Sequence, residues 1–204
     1  MAWSGDGKYL QGVTDALGNQ TLFNYDGSDR LIESRDASNR RTKYVYDGDS
    51  RQPKSILFGE GEDPNFVVLK HQKFTYNSKG RVTVDAIIDP SEGESGSTPL
   101  QKVTRTFYPL PYSPTNKGAG LLESITQYEC TGTGTFVVDD STTYTYDSVG
   151  RVIKTAKSSL FGNCQFTYTL YDDAGNVLAT ACGRKNADNP VPTTLEEIEN
   201  LYSN

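Results

Sequence analysis

Tyr144-Thr145-Tyr146-Asp147-Ser148-Val149-Gly150-Arg151-Val152 writes a strand end, a turn and a strand start in nine residues. Tyr144 and Tyr146, two positions apart, project from the same face of an extended chain. Asp147 opens the turn, because its carboxylate can accept hydrogen bonds from backbone N–H groups two or more residues on. Gly150, three residues later, supplies the positive φ that a type I turn with a bulge requires. Arg151 and Val152 then start the return strand.

The same phrase recurs along the chain, and repeats take precedence over single elements in reading an architecture. A second full copy is Phe74-Thr75-Tyr76-Asn77-Ser78-Lys79-Gly80-Arg81-Val82. Looser copies run through Tyr25-Asp26-Gly27-Ser28-Asp29-Arg30, through Tyr46-Asp47-Gly48-Asp49-Ser50-Arg51, and through Tyr171-Asp172-Asp173-Ala174-Gly175-Asn176. Asp29 and Ser50 stand where glycine is expected. Asp tolerates that geometry better than Ser does. Trp3 to Lys8 reads as a copy entered halfway, and Phe107-Tyr108 through Gly120-Leu121-Leu122 as a copy with a Pro-rich insertion. A second turn class, Asp15-Ala16-Leu17-Gly18-Asn19 and Asp36-Ala37-Ser38-Asn39-Arg40, alternates with the first. The turn-opening residues Asp15, Asp26, Asp36 and Asp47 are thus 11, 10 and 11 positions apart. Strands of about six residues between tight turns make a continuous antiparallel meander. The expectation is an all-β sheet of about a dozen strands in one segment, residues 1–204, with repeats over about 3–182. Longer loops fall at 59–65, 89–99, 109–120 and 131–134, with 89–99 expected to be the most flexible. Leu195, Ile198, Leu201 and Tyr202 at helical spacing predict one short C-terminal helix, about 193–203. Thr193 with Glu196, or Thr194 with Glu197, can form its capping box.

Composition agrees with strands and turns: 13 tyrosines, 19 glycines and a single methionine in 204 residues. The net charge of −6 argues against nucleic acid, whose phosphates need a basic stripe. No apolar stretch approaches the ~20 residues of a membrane-crossing helix, so membrane insertion is not expected. The first residues lack the basic start and apolar centre of a signal peptide. Three cysteines cannot all pair with one another. Cys164–Cys182 on neighbouring strands is the first candidate for a bridge.

The Tyr-Asp-x-x-Gly-Arg phrase and the Asp-Ala-x-Gly-Asn turn resemble the YD repeats of Rhs proteins. Similar repeats occur in the B/C components of insecticidal toxin complexes, in wall-associated bacterial proteins and in teneurins. The resemblance implies a sheet that curls or spirals into a hollow shell, with partners in other segments of the parent shell or in an enclosed C-terminal domain. It also implies an extracellular or cell-surface parent and, in some relatives, carbohydrate binding or adhesion. The motif residues it singles out are Tyr25, Asp26, Tyr46, Asp47, Tyr76, Asn77, Gly80, Arg81, Tyr146, Asp147, Gly150, Arg151, Tyr171, Asp172 and Gly175. Asp89-Pro90 has the dipeptide of the Rhs core signature without the surrounding core, so self-cleavage and toxicity are not carried over.

Catalytic chemistry finds few ingredients. His71 is the one histidine; a Ser-His or Cys-His pair would have to use it, and on its strand it is expected to be exposed. Asp139-Asp140 and Asp172-Asp173 are adjacent, and neighbouring strand residues point to opposite faces. The Asp-rich turns at Asp26 and Asp47 read as backbone-capping turns rather than calcium loops. No catalytic residue, metal or cofactor is expected. Tyr25, Tyr46, Tyr76 and Tyr146 are expected to line the concave side of the sheet, either as a ladder that stabilises it or as a platform for sugars.

Overall fold

A computed structural model describes residues 1–110, 118–131, 135–159, 165–183, 194 and 196–197. The chain is all-β, and the strand order in the sheet follows the chain from first to last. It divides into two compact units, Met1–Lys102 and Val103–Asn204. The first holds β1 (Ala2–Trp3), β2 (Leu10–Thr14), β3 (Gln20–Tyr25), β4 (Leu31–Arg35), β5 (Arg40–Tyr46), β6 (Pro53–Glu60), β7 (Val67–Tyr76) and β8 (Val82–Ile88). The division falls inside β9 (Pro99–Phe107). The second holds β10 (Leu122–Cys130), β11 (Phe136–Tyr146), β12 (Val152–Ser159), β13 (Gln165–Tyr171) and β14 (Val177–Gly183). The expected antiparallel meander is therefore present, with fourteen strands among the described residues where about a dozen were expected. The extra strands include the two-residue β1, too short for a periodic signal.

Every repeat turn joins an odd strand to the next even one. Within each unit those connections lie at one end of the strands and the even-to-odd connections, the Asp15 and Asp36 turns among them, at the other.

Each repeat hairpin also breaks register at the same place. Tyr25 pairs with Leu31 but Asn24 with Glu33, so Ile32 is left over. Lys54, Thr83, Ile153 and Leu178 are left over in the same way beside Tyr46, Tyr76, Tyr146 and Tyr171. One extra residue on the return strand is a β-bulge, which bends the strand and raises its twist locally.

The apolar core of the first unit is small: Leu57, Val68, Ala86 and Ile88. Register aligns Leu57, His71 and Ile88 across β6, β7 and β8 on one face. Two connections fold back over that face. In the 61–66 connection, Phe66 packs on Gly59, where an added Cβ would stand 2.1 Å from the Val67 carbonyl oxygen and 2.7 Å from the Phe66 ring. The 89–98 connection, expected to be the most flexible, contains a 3₁₀ segment, Pro90–Ser95, kinked at Gly93. Asp89 caps it by accepting from the Ser91 backbone N–H, and Glu92 accepts from the N–H groups of Ser97 and Thr98. Composition pointed to a flexible loop there and did not reveal these carboxylate caps.

The second unit centres on Phe166, Tyr168 and Ala181, with Ala156, Leu170 and Ala179 packed against them. Near the C-terminus, Thr194 and Glu197 make the reciprocal bonds of a capping box, at 3.2 Å each. The rest of the expected helix lies outside the described residues. So does Cys164, and with it the Cys164–Cys182 pairing.

Candidate functional site

The repeat turns share one hydrogen-bond frame. In the Asp147 turn, the Gly150 N–H donates to the Asp147 carbonyl and the Asp147 N–H to the Arg151 carbonyl. The Asp147 side chain accepts from the N–H groups of Val149 and Arg151 at 2.9 Å each, and from the Arg151 guanidinium at 2.6 Å. Asp26 repeats this with Ser28 and Arg30, Asn77 with Lys79 and Arg81, and Asp172 with Asn176. Gly80, Gly150 and Gly175 have φ of 74°, 89° and 90°, and Asp29 takes the same left-handed conformation at 66°. The Asp47 turn departs from the frame: its positive φ is at Gly48 rather than at Ser50, and the turn is one residue longer before Pro53. The side chain of Asp47 faces solvent, 3.4 Å from Lys54.

Electrostatics follow the frame. Backbone and guanidinium bonds from Arg30 hold the Asp26 carboxyl below its usual range. For Asp147, burial pushes upward, but the bonds from Arg151 outweigh it and the net direction is down. Asn176 does the same for Asp172.

The turns are also tied to one another. Each repeat tyrosine donates its hydroxyl backward, to the carbonyl of the residue that starts the preceding strand. Tyr25 reaches Leu10, Tyr46 reaches Leu31, Tyr76 reaches Pro53, Tyr146 reaches Leu122 and Tyr171 reaches Val152, at 2.7–3.1 Å. The arginine reaches forward. Arg30 donates to the Gly48 and Ser50 carbonyls of the next repeat turn and lies 4.6 Å over the Tyr46 ring. Arg151 donates to the Asp172 carbonyl and lies 4.6 Å over the Tyr171 ring. Lys8 takes the forward role in the half copy, paired with Asp29, and Gln52 takes it after the Asp47 turn, donating to the Gly80 carbonyl at 2.7 Å. Sequence reading assigned the arginine only to the start of a strand. Its place after the turn glycine was visible, but the partner a whole hairpin away was not.

The Pro-rich copy keeps the frame. The Tyr108 N–H donates to the Leu121 carbonyl and the Gly120 N–H to the Tyr108 carbonyl, with Gly120 at φ 75°. Tyr108 thus stands in the Asp position. Its ring meets Tyr146 edge-on at 6.1 Å, and its hydroxyl donates to the Tyr144 carbonyl.

Strand alternation places Tyr46 and Tyr76 opposite the His71 face, and Tyr146 and Tyr171 opposite the Phe166 face. They are half-buried, and burial pushes the phenols of Tyr46, Tyr76 and Tyr146 up. The tyrosine that fills a core is Tyr168, which lies outside the repeat phrase. Its alternation with Phe166 and Leu170 was the available signal.

His71 is not exposed, as expected from its strand, but fully buried. Its Nε2 lies 2.6 Å from the Ser55 hydroxyl, itself buried. The flanking lysines suggested an outward-facing residue; the 89–98 connection, invisible as a cover in sequence, encloses it.

An open groove of about 610 Å³ is lined by Tyr9, Gln11, Phe23, Asn24, Tyr25 and Asp26 among others, with the Tyr9 and Tyr25 rings stacked at 5.0 Å. Among the described residues no cluster of three or more His, Cys, Asp or Glu side chains is placed to hold a metal ion.

The odd-to-even turns of this meander thus carry one Tyr-Asp frame, the phrase whose likeness to YD repeats the sequence showed. No family model matches the chain, and no curated protein does. Among solved structures it is similar to the Photorhabdus luminescens Tc holotoxin pore with a mutated TccC3, at 13% identity and a TM-score of 0.47 over 92% of this chain and 12% of that one. It is also similar to a TcdB2–TccC3 crystal structure, at 18% identity and a TM-score of 0.46 over 82% of this chain and 10% of that one. A third similarity is to TcdB2–TccC3 without its hypervariable C-terminal region, at 18% identity and a TM-score of 0.47, covering 87% and 10%. The chain therefore spans about a tenth of the length of those chains.

Proposed function

We propose that the chain is a structural segment of a YD-repeat shell in a secreted or surface-displayed Rhs-type protein, where it encloses or displays other domains. Its partners in that reading are neighbouring shell segments and an enclosed C-terminal domain. The observation that carries it is the backward bond of the repeat tyrosines: five hydroxyls are committed to backbone carbonyls of the preceding strand. Groups used the same way in five repeats hold a wall together; a binding site uses residues in one place. The reading is non-enzymatic and needs no cofactor. The one histidine sits in the core, away from any substrate that could use it.

A second reading, a carbohydrate-binding or adhesion module, is favoured by the Tyr9–Tyr25 groove, where ring faces stand beside Gln11 and Asn24. Thermal unfolding of Tyr146→Ala and Tyr25→Ala beside a glycan-array screen of the unmodified chain separates the two. A shell segment melts earlier in both variants and binds no glycan. Unchanged melting of Tyr25→Ala together with lost glycan binding would favour the module.

A further inference from the structure

His71 and Ser55 form a buried polar pair that the sheet does not need for register, since their strands are paired along their lengths. The ring nitrogen Nδ1 is buried and makes no well-formed hydrogen bond. Around the ring stand Ser55 and Leu57 of β6, Lys73 of its own strand, Ile88 of β8, and Gly93, Glu92 and Glu94 of the 89–98 connection. That connection is a strap tied down at Glu94 and at Gly96. Lys43 of β5 pairs with Glu94 at 2.5 Å and with Asp63 at 2.6 Å, and Lys73 donates to the Gly96 carbonyl. Gly96 seats it on the core, because a Cβ there would stand 3.1 Å from Ile88 Cγ2.

We propose that residues 89–98 are an acid-released strap, closed over neutral His71 and opened when that ring takes up a proton. The physical ground is burial: the ring meets the Ser55 hydroxyl and the Gly93 backbone, and the Lys73 ammonium outweighs the Glu92 and Glu94 carboxylates, so a protonated imidazole is costly in this interior. Burial first, then Lys73, holds the ring below its ordinary range, while the Gly93 backbone, Glu92 and Glu94 pull weakly the other way. The closed strap therefore keeps the ring neutral. The open strap exposes it to water, where it protonates below about pH 6.5. Opening then consumes one proton, so its equilibrium constant rises by at most about tenfold per pH unit below that point. Glu92 is not the trigger. Its bonds from Thr98 and Ser97 keep its pKa near about 2, so it stays charged throughout the window.

Hydrogen exchange of the 89–98 amides, corrected for intrinsic rates, tests this between pH 7.5 and 5.0. Protection should fall by roughly threefold to thirtyfold in the unmodified chain, while peptides from β11 and β12 stay unchanged. His71→Gln, neutral at every pH, should keep the strap protected at both ends of the range. Flat protection in the unmodified chain, or the same acid loss in His71→Gln, overturns the proposal. If His71→Gln lacks protection at all pH values, the His71 ring titration followed by NMR decides. Its midpoint should coincide with strap opening, and a ring that titrates while the strap amides stay protected refutes the mechanism.

Discussion

The tyrosine of the repeat works through its hydroxyl more than through its ring. Tyr146→Phe keeps the half-buried ring but removes the bond to the Leu122 carbonyl, and should cost about 1 kcal/mol by denaturant unfolding. Tyr146→Ala should cost more, since the edge contact with Tyr108 goes too. Equal costs would show that the hydroxyl contributes nothing. The turn glycine makes a different demand. Gly150 has φ 89°, and an added Cβ would meet only Leu121 Cδ1, at an ordinary 3.5 Å. Gly150→Val should therefore lose about 1–2 kcal/mol to backbone strain, whereas Ser148→Ala, in the exposed part of the same turn, should be nearly silent. Equal melting shifts would contradict the turn assignment. These residues were legible in sequence because their demands are local: a carboxylate within reach of its own backbone, and a φ only some residues adopt. His71 was not, because its burial depends on a connection about twenty positions downstream.

Strand and turn elements were read well wherever alternation and turn chemistry coincided. A bulge at the turn glycine was read, but the extra residue on the return strand just beyond it was missed. The leftover residues, Ile32, Lys54, Thr83, Ile153 and Leu178, share no chemistry, so no residue type marks the site. Connections that pack back on a face were missed for a related reason. Gly59 reads as an ordinary strand glycine, yet the Val67 backbone and Phe66 ring occupy the space a methyl would need. Gly59→Ala should lower stability by about 1–3 kcal/mol through overpacking. Restoring a void with Gly59→Ala/Phe66→Leu should recover only the part due to the ring. A silent Gly59→Ala would mean that the 61–66 connection does not sit on β6.

At the scale of the whole chain, the repeated carboxylates should govern acid stability. Asp15, Asp26, Asp147 and Asp172 all have carboxyls held below their ordinary range by hydrogen bonds in the fold. A group with a depressed folded pKa stabilises the fold above its unfolded value, about 3.9, and loses that contribution as pH falls through the folded one. Melting temperature should thus drop steeply below about pH 4. His71 acts in a separate, higher window, its own contribution fading as pH falls below about 6.5. In His71→Gln the steep lower limb should persist while the shallow upper one disappears. A single limb shared by both chains would mean that the carboxylates alone set the pH dependence. The all-β meander and its row of Asp turns were legible from the repeat; the ties between turns were not, because they join residues a full hairpin apart.

The Pro-rich turn has a consequence for how such a sheet can change over generations. Asp147 and Gly150 are three positions apart, while Tyr108 and Gly120, closing the same pair of backbone bonds, are twelve apart. The closure is blind to what is spliced between its two anchors. A repeat turn can thus carry extra sequence between its two anchors and still close the same pair of backbone bonds. A lineage can acquire a new surface loop there in one insertion, leaving the strands on either side with the partners they already had.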